Sequence, residues 1–546
     1  MKIALAQINY HIGNFRDNTR KIIAYIEKAK KEGADLVIFA ELAISGDPPR
    51  DFLEFKDFVK KCDQSVAEIA AHCTDIAAII GTPVFNEHRK GKPLYNAAAF
   101  LNEGKVTQYR YKSLLPNYDI FDEYRYFEPN RSFEVIQFKG TRFALTICED
   151  LWNVQDNPLY TLNPMDELIG QDPDFIVNIA ASPFSYRQID IRTDILRRNA
   201  MKYSLPLFYV NHVGAQTELL FDGGSLVMDR TGRILDEMAY FEEDLEIYQL
   251  DDILKGKVLR GKTNERNETG MILDALVMGV KNYFRKLGFS KAILGSSGGI
   301  DSAVTAVVAS RALGAENVMN IMMPSRFSSE HSLMDAIQLA RNLGMPYEII
   351  NIEKGFTAFE ETLKPLFKDL PFDITEENLQ ARTRGVLLMA ISNKFGHILL
   401  NTSNKSEAAV GYGTLYGDMN GGLSVLGDVY KTQVFELAHH INRSKEIIPN
   451  NIITKPPSAE LRPEQKDTDS LPDYKDLDEI LYQYIELRQG PAEIIDMGFD
   501  EALVKRILKL VNTSEYKRYQ TPPILRVSSK AFGMGRRMPI VAKYLS

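Results

Sequence analysis

At 546 residues and a net charge of −8, the chain is too long for one compact domain and has no basic excess. About two to four domains are expected, and a nucleic-acid binder, whose footprint is a basic surface, is excluded. Three cysteines point to a reducing compartment without structural disulfides, no stretch reaches the roughly 18 uninterrupted apolar residues of a membrane span, and MKIALAQINYHIGNF lacks the apolar core and cleavage site of a signal peptide, so a cytoplasmic protein without a membrane partner is expected.

Residues 1–250 alternate strands and helices. KIALAQIN reads as a strand, and NTRKIIAYIEKAKKEGA as an amphipathic helix ending at Gly33. DLVIFAELA follows as a buried strand ending on Glu41, then DFLEFKDFVKKCDQSVAEIAAHC as one helix with Cys62 and Cys73 on its core face. AAIIGTPVF, LYNAAAFLNEG and VTQYRYKSLL are strands, as are RFALTICED, DFIVNIAAS, LPLFYVNHVG and GGSLVMDRTGRIL. So many strands with few helices predict large sheets covered by helices. Glu41, Lys112 and Cys148 each fall at or just past a strand end, where side chains can converge.

Taken singly, these are a strand-end carboxylate, a surface lysine and a buried thiol. Together, in LVIFAELAISGDPPRD, YRYKSLLPNYDIFDEYRYF and LTICEDLW, they resemble the nitrilase superfamily over roughly the first 250 residues. The resemblance implies an α-β-β-α sandwich with Cys148 as nucleophile, Glu41 as general base and Lys112 as the cation that answers charge on the carbonyl oxygen. A thiolate is a strong nucleophile once a base removes its proton, and a fixed cation acts where charge develops. Glu123 is a candidate fourth member. Tyr118, Ser182 and Gln188 are implied to hold the amide substrate, glutamine, with Gln188 standing where that family carries a basic residue.

Residues 251–270 are polar with three glycines and read as a linker. Beyond it, MILDALVMGVKNYFRKLG is helical, and KAILGSSGGIDSAVT runs from a strand through a Gly-rich turn into AVTAVVASRAL, expected as an amphipathic helix. Glycines that let the backbone approach and unpaired N–H groups at a helix start make an anion site. The turn has no lysine and so is not a Walker A loop; hydroxyls and a carboxylate take its place. NVMNIMMP and YEIINI (strands), SSEHSLMDAIQLARNLG and EENLQARTRGVLLMAISNKFG (helices) and HILLNTS (strand) continue the alternation and predict a Rossmann-like parallel sheet, with ligands beyond the strand C-termini.

Ser297–Ser302, S-G-G-x-D-S, resembles the pyrophosphate loop of the ATP-pyrophosphatase superfamily. That implies ATP on Gly295, Ser296, Ser297, Gly298, Gly299, Ile300, Asp301, Ser302 and Thr402, with Asp301 and Glu407 sharing Mg²⁺, a hard ion that prefers carboxylate and phosphate oxygens. ENLQARTRG is similar to the helix with which NAD synthetases contact deamido-NAD, implying Asn378 and Arg382, together with Glu407 and Lys517, at that substrate. The Pro-rich stretch 456–474 resembles a loop that orders over their active site. Tyr519 and Ile524 depart from the family's Arg and Gly.

The two halves together resemble the glutamine-dependent NAD synthetases, with residues 1–250 as glutaminase and 271–546 as synthetase. The resemblance implies ATP, glutamine and deamido-NAD as small-molecule substrates, a homo-oligomer, no nucleic-acid partner, and a protected passage for ammonia. Two alternatives stay open at this point. One is another glutamine-dependent ATP-pyrophosphatase amidotransferase; the other is a nitrilase-like protein with an inert nucleotide-sensing domain.

Overall fold

The computed structural model describes residues 1–88, 90–259, 267–463, 465–469 and 471–545. The chain forms two compact units, Met1–Arg266 and Asn267–Ser546.

The first unit holds two six-stranded sheets. One is built from β1 (Lys2–Gln7), β2 (Leu36–Ile38), β3 (Ala77–Phe85), β4 (Leu94–Asn102) and β5 (Lys105–Tyr111). The other uses β6 (Ile136–Phe138), β7 (Thr141–Ile147), β8 (Phe175–Ala180) and β9 (Leu207–Asn211). After the hairpin β10 (Val213–Gln216) and β11 (Leu219–Asp222), the strands β12 (Leu226–Met228) and β13 (Ile234–Glu237) complete the second sheet, and β14 (Asp244–Gln249) returns to the first. The orders are β14-β1-β2-β3-β4-β5 and β13-β12-β9-β8-β7-β6. In each, a parallel centre (β1-β2-β3, β7-β8-β9) is flanked by antiparallel strands.

The inner faces share one apolar core, in which Phe100 of the first sheet meets Phe143 of the second with ring centroids 6.2 Å apart. Each fully buried Phe there is worth roughly 1.5–3 kcal/mol of transfer energy. On the outer face of the first sheet lies the helix Phe15–Lys31, capped by Asn14 and buried through Ile22, Ile26 and Ala29. Its last turn carries Lys28, Lys30 and Lys31, which suits the negative end of the helix dipole. The α-β-β-α sandwich is therefore the fold of this unit.

Local boundaries differ from the sequence expectation at informative places. The strand expected over 35–43 stops at Ile38, because the chain turns out of the ladder to aim Glu41 inward. The single helix expected over 51–73 is a 3-10 turn, Arg50–Glu54, and a helix, Lys56–Ala70, separated by extended Phe55. Cys73 lies past that helix, and Cys62 and Cys73 are both buried free thiols. The expected strand LPLFYVNHVG divides between β9 and β10. β14 was not expected, although DLEIYQ alternates in polarity.

The expected linker 251–270 is partly regular. Leu250–Leu254 is a short helix, the next helix opens at Glu268, and residues 260–266 lie outside the described residues.

In the second unit five parallel strands, β15 (Ala292–Gly295), β16 (Val318–Met322), β17 (Tyr347–Ile349), β18 (Ile398–Asn401) and β19 (Leu423–Ser424), are ordered β17-β16-β15-β18-β19. The order reverses between β15 and β18, the switch point where open parallel sheets bind ligands. The helix after β15, Ile300–Leu313, is not amphipathic as expected. It is buried nearly all round, with Ala303, Val304, Val307 and Val308 fully covered, because the helices Glu268–Leu287 and Lys431–Asn442 pack on it as well as the sheet. Helices that carry no sequence motif, Tyr474–Ile485 and Glu501–Thr513 among them, form a second apolar cluster with the helix Lys405–Val410.

Candidate functional sites

In the first unit, Glu41, Lys112 and Cys148 converge. Lys112 Nζ donates to Glu41 Oε1 at 2.7 Å and to Glu123 Oε1 at 2.7 Å, and the lysine side chain is wholly sealed from solvent. Asn96 Nδ2 donates to Glu41 Oε1 at 2.7 Å, and the Ala181 N–H donates to Glu41 Oε2 at 2.9 Å. The turn bearing Glu41 passes so close over β3 that a Cβ on Gly81 would lie 2.2 Å from the Leu42 nitrogen. Glycine is required there by close approach, not by its φ.

Cys148 opens a short 3-10 turn directly after β7, with φ at 42°. That left-handed conformation costs a non-glycine residue about 1–3 kcal/mol and places a side chain at the sheet's edge.

The charges fit a buried reactive centre. Burial alone would depress the Lys112 ammonium, but Glu123 and Glu41 outweigh it and hold its pKa well above the lysine value. Burial, with Glu41 adding, pushes the Cys148 thiol up while Lys112 opposes. Burial also raises Glu123 to about 7, with Lys112 opposing and Glu41 adding. Burial thus opposes ionisation of the Cys148 thiol, whose proton needs a base to leave.

Tyr118 donates its hydroxyl to Glu149 Oε1 at 2.8 Å, as does Tyr160 at 3.0 Å, so Tyr118 stands beside the residue next to Cys148. Ser182 follows Ala181, and its N–H is held by Asn211 Oδ1 at 2.8 Å. Gln188 is half-buried at the first turn of the helix Gln188–Tyr203. One turn on, Arg192 is committed to a buried two-pronged pair with Asp222 (3.0 and 2.6 Å), so it does not replace the basic residue expected at 188. Asn96, Glu149 and Tyr160 escaped the sequence reading; Glu149 alone had a signal, its position next to Cys148.

In the second unit a cavity of about 880 Å³ opens beyond β15 and β18. Gly295, Ser296, Ser297, Gly299, Ile300, Asp301, Ser302, Thr402 and Glu407 line it. Gly298 does not, since its role is backbone approach: a Cβ there would lie 2.1 Å from Ser332 O, and its φ is 76°.

Asp301 accepts from Asn404 Nδ2 at 2.9 Å and from Lys431 Nζ at 2.5 Å, and Lys431 stands 3.8 Å from Glu407. Burial and the Asp301 charge push Glu407 up to about 8, against Lys431. Lys431 and Asn404 were missed: a lysine far along the chain carries no local motif, and Asn404 reads simply as a helix cap. Arg384 also lines the cavity, donating to Met323 O at 3.0 Å, and burial lowers its pKa to about 10.

Two hard carboxylates sharing one cavity wall suit a divalent cation. Among the described residues no group of three or more metal-ligating side chains forms, so phosphate oxygens and water would complete such a shell.

Asn378, Arg382 and Lys517 do not line the cavity. They grip the loop at its rim. Asn378 Oδ1 accepts from Thr414 Oγ1 at 2.7 Å, Arg382 Nε donates to Leu415 O at 3.2 Å, and Lys517 Nζ donates to Gly411 O and Gly413 O at 2.7 Å each. Gly417, Asp418 and Asn420 of the same loop face the cavity.

The Pro-rich stretch 456–474 also contributes to the cavity wall, from Pro456 to Asp469, with Glu464 and Ser470 outside the described residues. Glu460 ties it down by accepting from Ser329 Oγ and Ser332 Oγ at 2.7 Å each.

Comparison with known proteins gives each unit its own match. A carbon-nitrogen hydrolase family model matches residues 2–254, and an NAD synthase family model matches residues 272–521. The chain is 46% identical to a glutamine-dependent NAD(+) synthetase of Synechocystis sp., covering 99% of both chains. It is 39% identical to that of Thermotoga maritima, over 100% of this chain and 99% of the relative. Among solved structures, the glutamine-dependent NAD+ synthetase of Acinetobacter baumannii in complex with ADP is 41% identical with a TM-score of 0.79, over 99% of this chain and 98% of that one. The Cytophaga hutchinsonii enzyme, at 20% identity and TM-score 0.84, shares the fold. Similar to these enzymes along nearly its whole length, the chain belongs to the glutamine-dependent NAD(+) synthetases.

Proposed function

We propose that the protein amidates deamido-NAD to NAD at the expense of ATP, using ammonia released from glutamine, and that residues 1–250 and 271–546 divide this work. The single observation that carries the reading is the presence in one chain of the sealed Glu41–Lys112–Cys148 cluster and of the cavity lined by the 295–302 loop. An inert nucleotide sensor would not need the first.

Glutamine is held through Tyr118, Ser182 and Gln188. Glu41 takes the Cys148 proton, and Sγ attacks the side-chain amide carbon. Lys112 Nζ stabilises the oxyanion that forms, and the carbonyl is restored as ammonia leaves with the proton carried by Glu41. Glu41 then deprotonates a water, which cleaves the thioester to glutamate and returns Cys148 to the thiol. The arrangement supports this order because Glu41 is fixed by three donors and so has one orientation.

In the cavity, a nicotinate carboxylate oxygen of deamido-NAD attacks the α-phosphorus of ATP and pyrophosphate leaves. Ammonia attacks the mixed anhydride carbon, AMP departs, and one proton is lost to give the amide. Ile300, Asp301 and Ser302, the first turn of the helix Ile300–Leu313, line the cavity, and the backbone N–H groups of such a turn suit the departing phosphates. Asp301 and Glu407 would hold Mg²⁺, which when bound neutralises pyrophosphate charge. Asn378 and Arg382, with Glu407 and Lys517, are assigned to deamido-NAD; Glu407 does so from the cavity wall, and the structure supports an action of the other three through the 411–420 loop that they grip.

A homo-oligomer fits the apolar side chains that the helix Ile374–Phe395 leaves exposed, among them Ile374, Val386 and Met389. A cytoplasmic site of action fits the three free thiols. No described helix is long and apolar enough to cross a membrane.

The test is an assay of purified protein with ATP, Mg²⁺, glutamine and deamido-NAD, following AMP, glutamate and NAD together. Equal yields of the three are expected. Glutamate without AMP, or AMP without NAD, would overturn the reading.

A further inference from the structure

Cys148 and Lys112 come from different strands, and nothing in either strand's own hydrogen bonding sets the distance between them. Cys148 moreover holds a left-handed backbone that an L residue leaves unless it is restrained. One buried carboxylate restrains both. Asp150 Oδ1 accepts the backbone N–H groups of Ser113 and Leu114, at 2.9 Å each, and Asp150 Oδ2 accepts the N–H of Ile147 at 3.0 Å. Ser113 is the residue after Lys112, and Ile147 is the residue before Cys148. Three backbone donors converge on a side chain only 3% exposed. A neutral amide there would turn a donor toward at least one of them.

We propose that Asp150 is a positioning residue of the glutamine-hydrolysing site, a clamp that fixes Lys112 Nζ against Cys148 Sγ by binding the backbone on both sides. It touches no reacting atom; it acts through the two residues it aligns. The inference rests on the glutaminase reading of the Glu41–Lys112–Cys148 cluster.

The structure explains why an ordinary surface cap would not serve. A cap satisfies its own turn, as Asp150 does through Ile147, whereas the bonds to Ser113 and Leu114 cross to a segment 37 and 36 residues away. The carboxylate therefore couples two chain segments that the fold brings together, and its loss lets them separate without unfolding either sheet. Misplacement of a reacting group by about 1 Å costs about 100-fold in rate.

The experiment uses the full-length protein and Asp150→Asn, with Cys148→Ala as reference. Glutamine-driven NAD formation, ammonium-driven NAD formation, and the pH profile of Cys148 carbamidomethylation by iodoacetamide are measured. For Asp150→Asn, glutamine-driven kcat should fall about 100-fold, with glutamine KM within about threefold. Ammonium-driven synthesis should persist, and the alkylation profile should move to higher pH, because the lysine cation no longer faces the thiol.

An alkylation profile superimposable on the parent's, or kcat within about threefold of it, overturns the proposal. So does loss of both activities, which would make Asp150 a scaffold residue only. If Cys148→Ala still hydrolyses glutamine, the glutaminase reading itself fails, an outcome distinct from failure of the clamp.

Discussion

Lys112 and Glu41 meet at 2.7 Å with side-chain exposures of 0% and 2%. A buried pair of this type is weak as a source of net stability but costly to break, since the partner left behind is an uncompensated charge. Lys112→Ala should therefore destabilise the first unit by about 3–5 kcal/mol, read by urea unfolding, and should abolish glutamine hydrolysis. Lys112→Met, which also leaves Glu41 unpaired, should be comparably destabilised, showing that charge and not side-chain volume is at issue.

Replacing the nucleophile separates the two chemistries. Cys148→Ala should lose glutamine-driven NAD synthesis, because covalent amide cleavage has no substitute for its nucleophile. High ammonium at alkaline pH should restore NAD and AMP formation. Residual glutamine use by Cys148→Ala, or failure of ammonium to rescue the folded variant, would refute the division of labour.

Glu123 gives a pH signature. Its folded pKa of about 7 lies above its ordinary 4.5, chiefly from burial, so the folded protein holds this proton more tightly than the unfolded chain. Between pH 4.5 and about 7 the folded state binds more protons, and the contribution of Glu123 to stability falls as pH rises through that window. Glu123→Gln, which cannot ionise, should gain in Tm relative to the parent as pH rises from 5 to 7, and the difference should level off above. A constant difference across that range would mean that Glu123 does not titrate there.

The paired carboxylates of the second unit predict a metal requirement. Asp301→Asn should abolish AMP formation from either nitrogen source, and so should EDTA on the parent, with Mg²⁺ restoring only the latter. Near-normal ammonium-driven synthesis by Asp301→Asn would remove Asp301 from the cation site.

The loop-gripping residues predict a selective binding defect. Ala at Arg382 or Lys517 should raise the KM for deamido-NAD roughly 10- to 100-fold, the equivalent of about 1.5–3 kcal/mol for a hydrogen bond to a charged group, and Ala at Asn378, whose bond to Thr414 joins neutral groups, roughly 2- to 10-fold. The KM for ATP should move far less. Equal effects on both would show that the 411–420 loop shapes the whole cavity instead of one substrate's end of it.

The residue types of both centres were legible from the chain alone. A Gly-rich turn between an apolar strand and a helix specifies an anion site locally, because its N–H groups are neighbours in sequence, and the structure puts Ser297 and residues 299–302 on the cavity wall. Glu41, Lys112 and Cys148 stand at or just past strand ends, but singly they are commonplace, and it is their joint resemblance to the nitrilase superfamily that singles them out in the chain. What needed the tertiary structure was every partner that acts across the chain. Asn96 on Glu41, Asp150 on Ser113 and Leu114, and Lys431 on Asp301 stand 55, 37, 36 and 130 residues from the groups they bind. None has a local signature, since an Asn in a strand, an Asp in a turn and a Lys at a helix start are commonplace singly. The same reason explains the helix Ile300–Leu313, whose composition reads as one-sided, whereas its burial is set by two helices that arrive from elsewhere in the chain. Sequence encodes which groups can do the chemistry; which ones are desolvated, paired and held in register depends on packing between segments that only folding brings within a few ångströms.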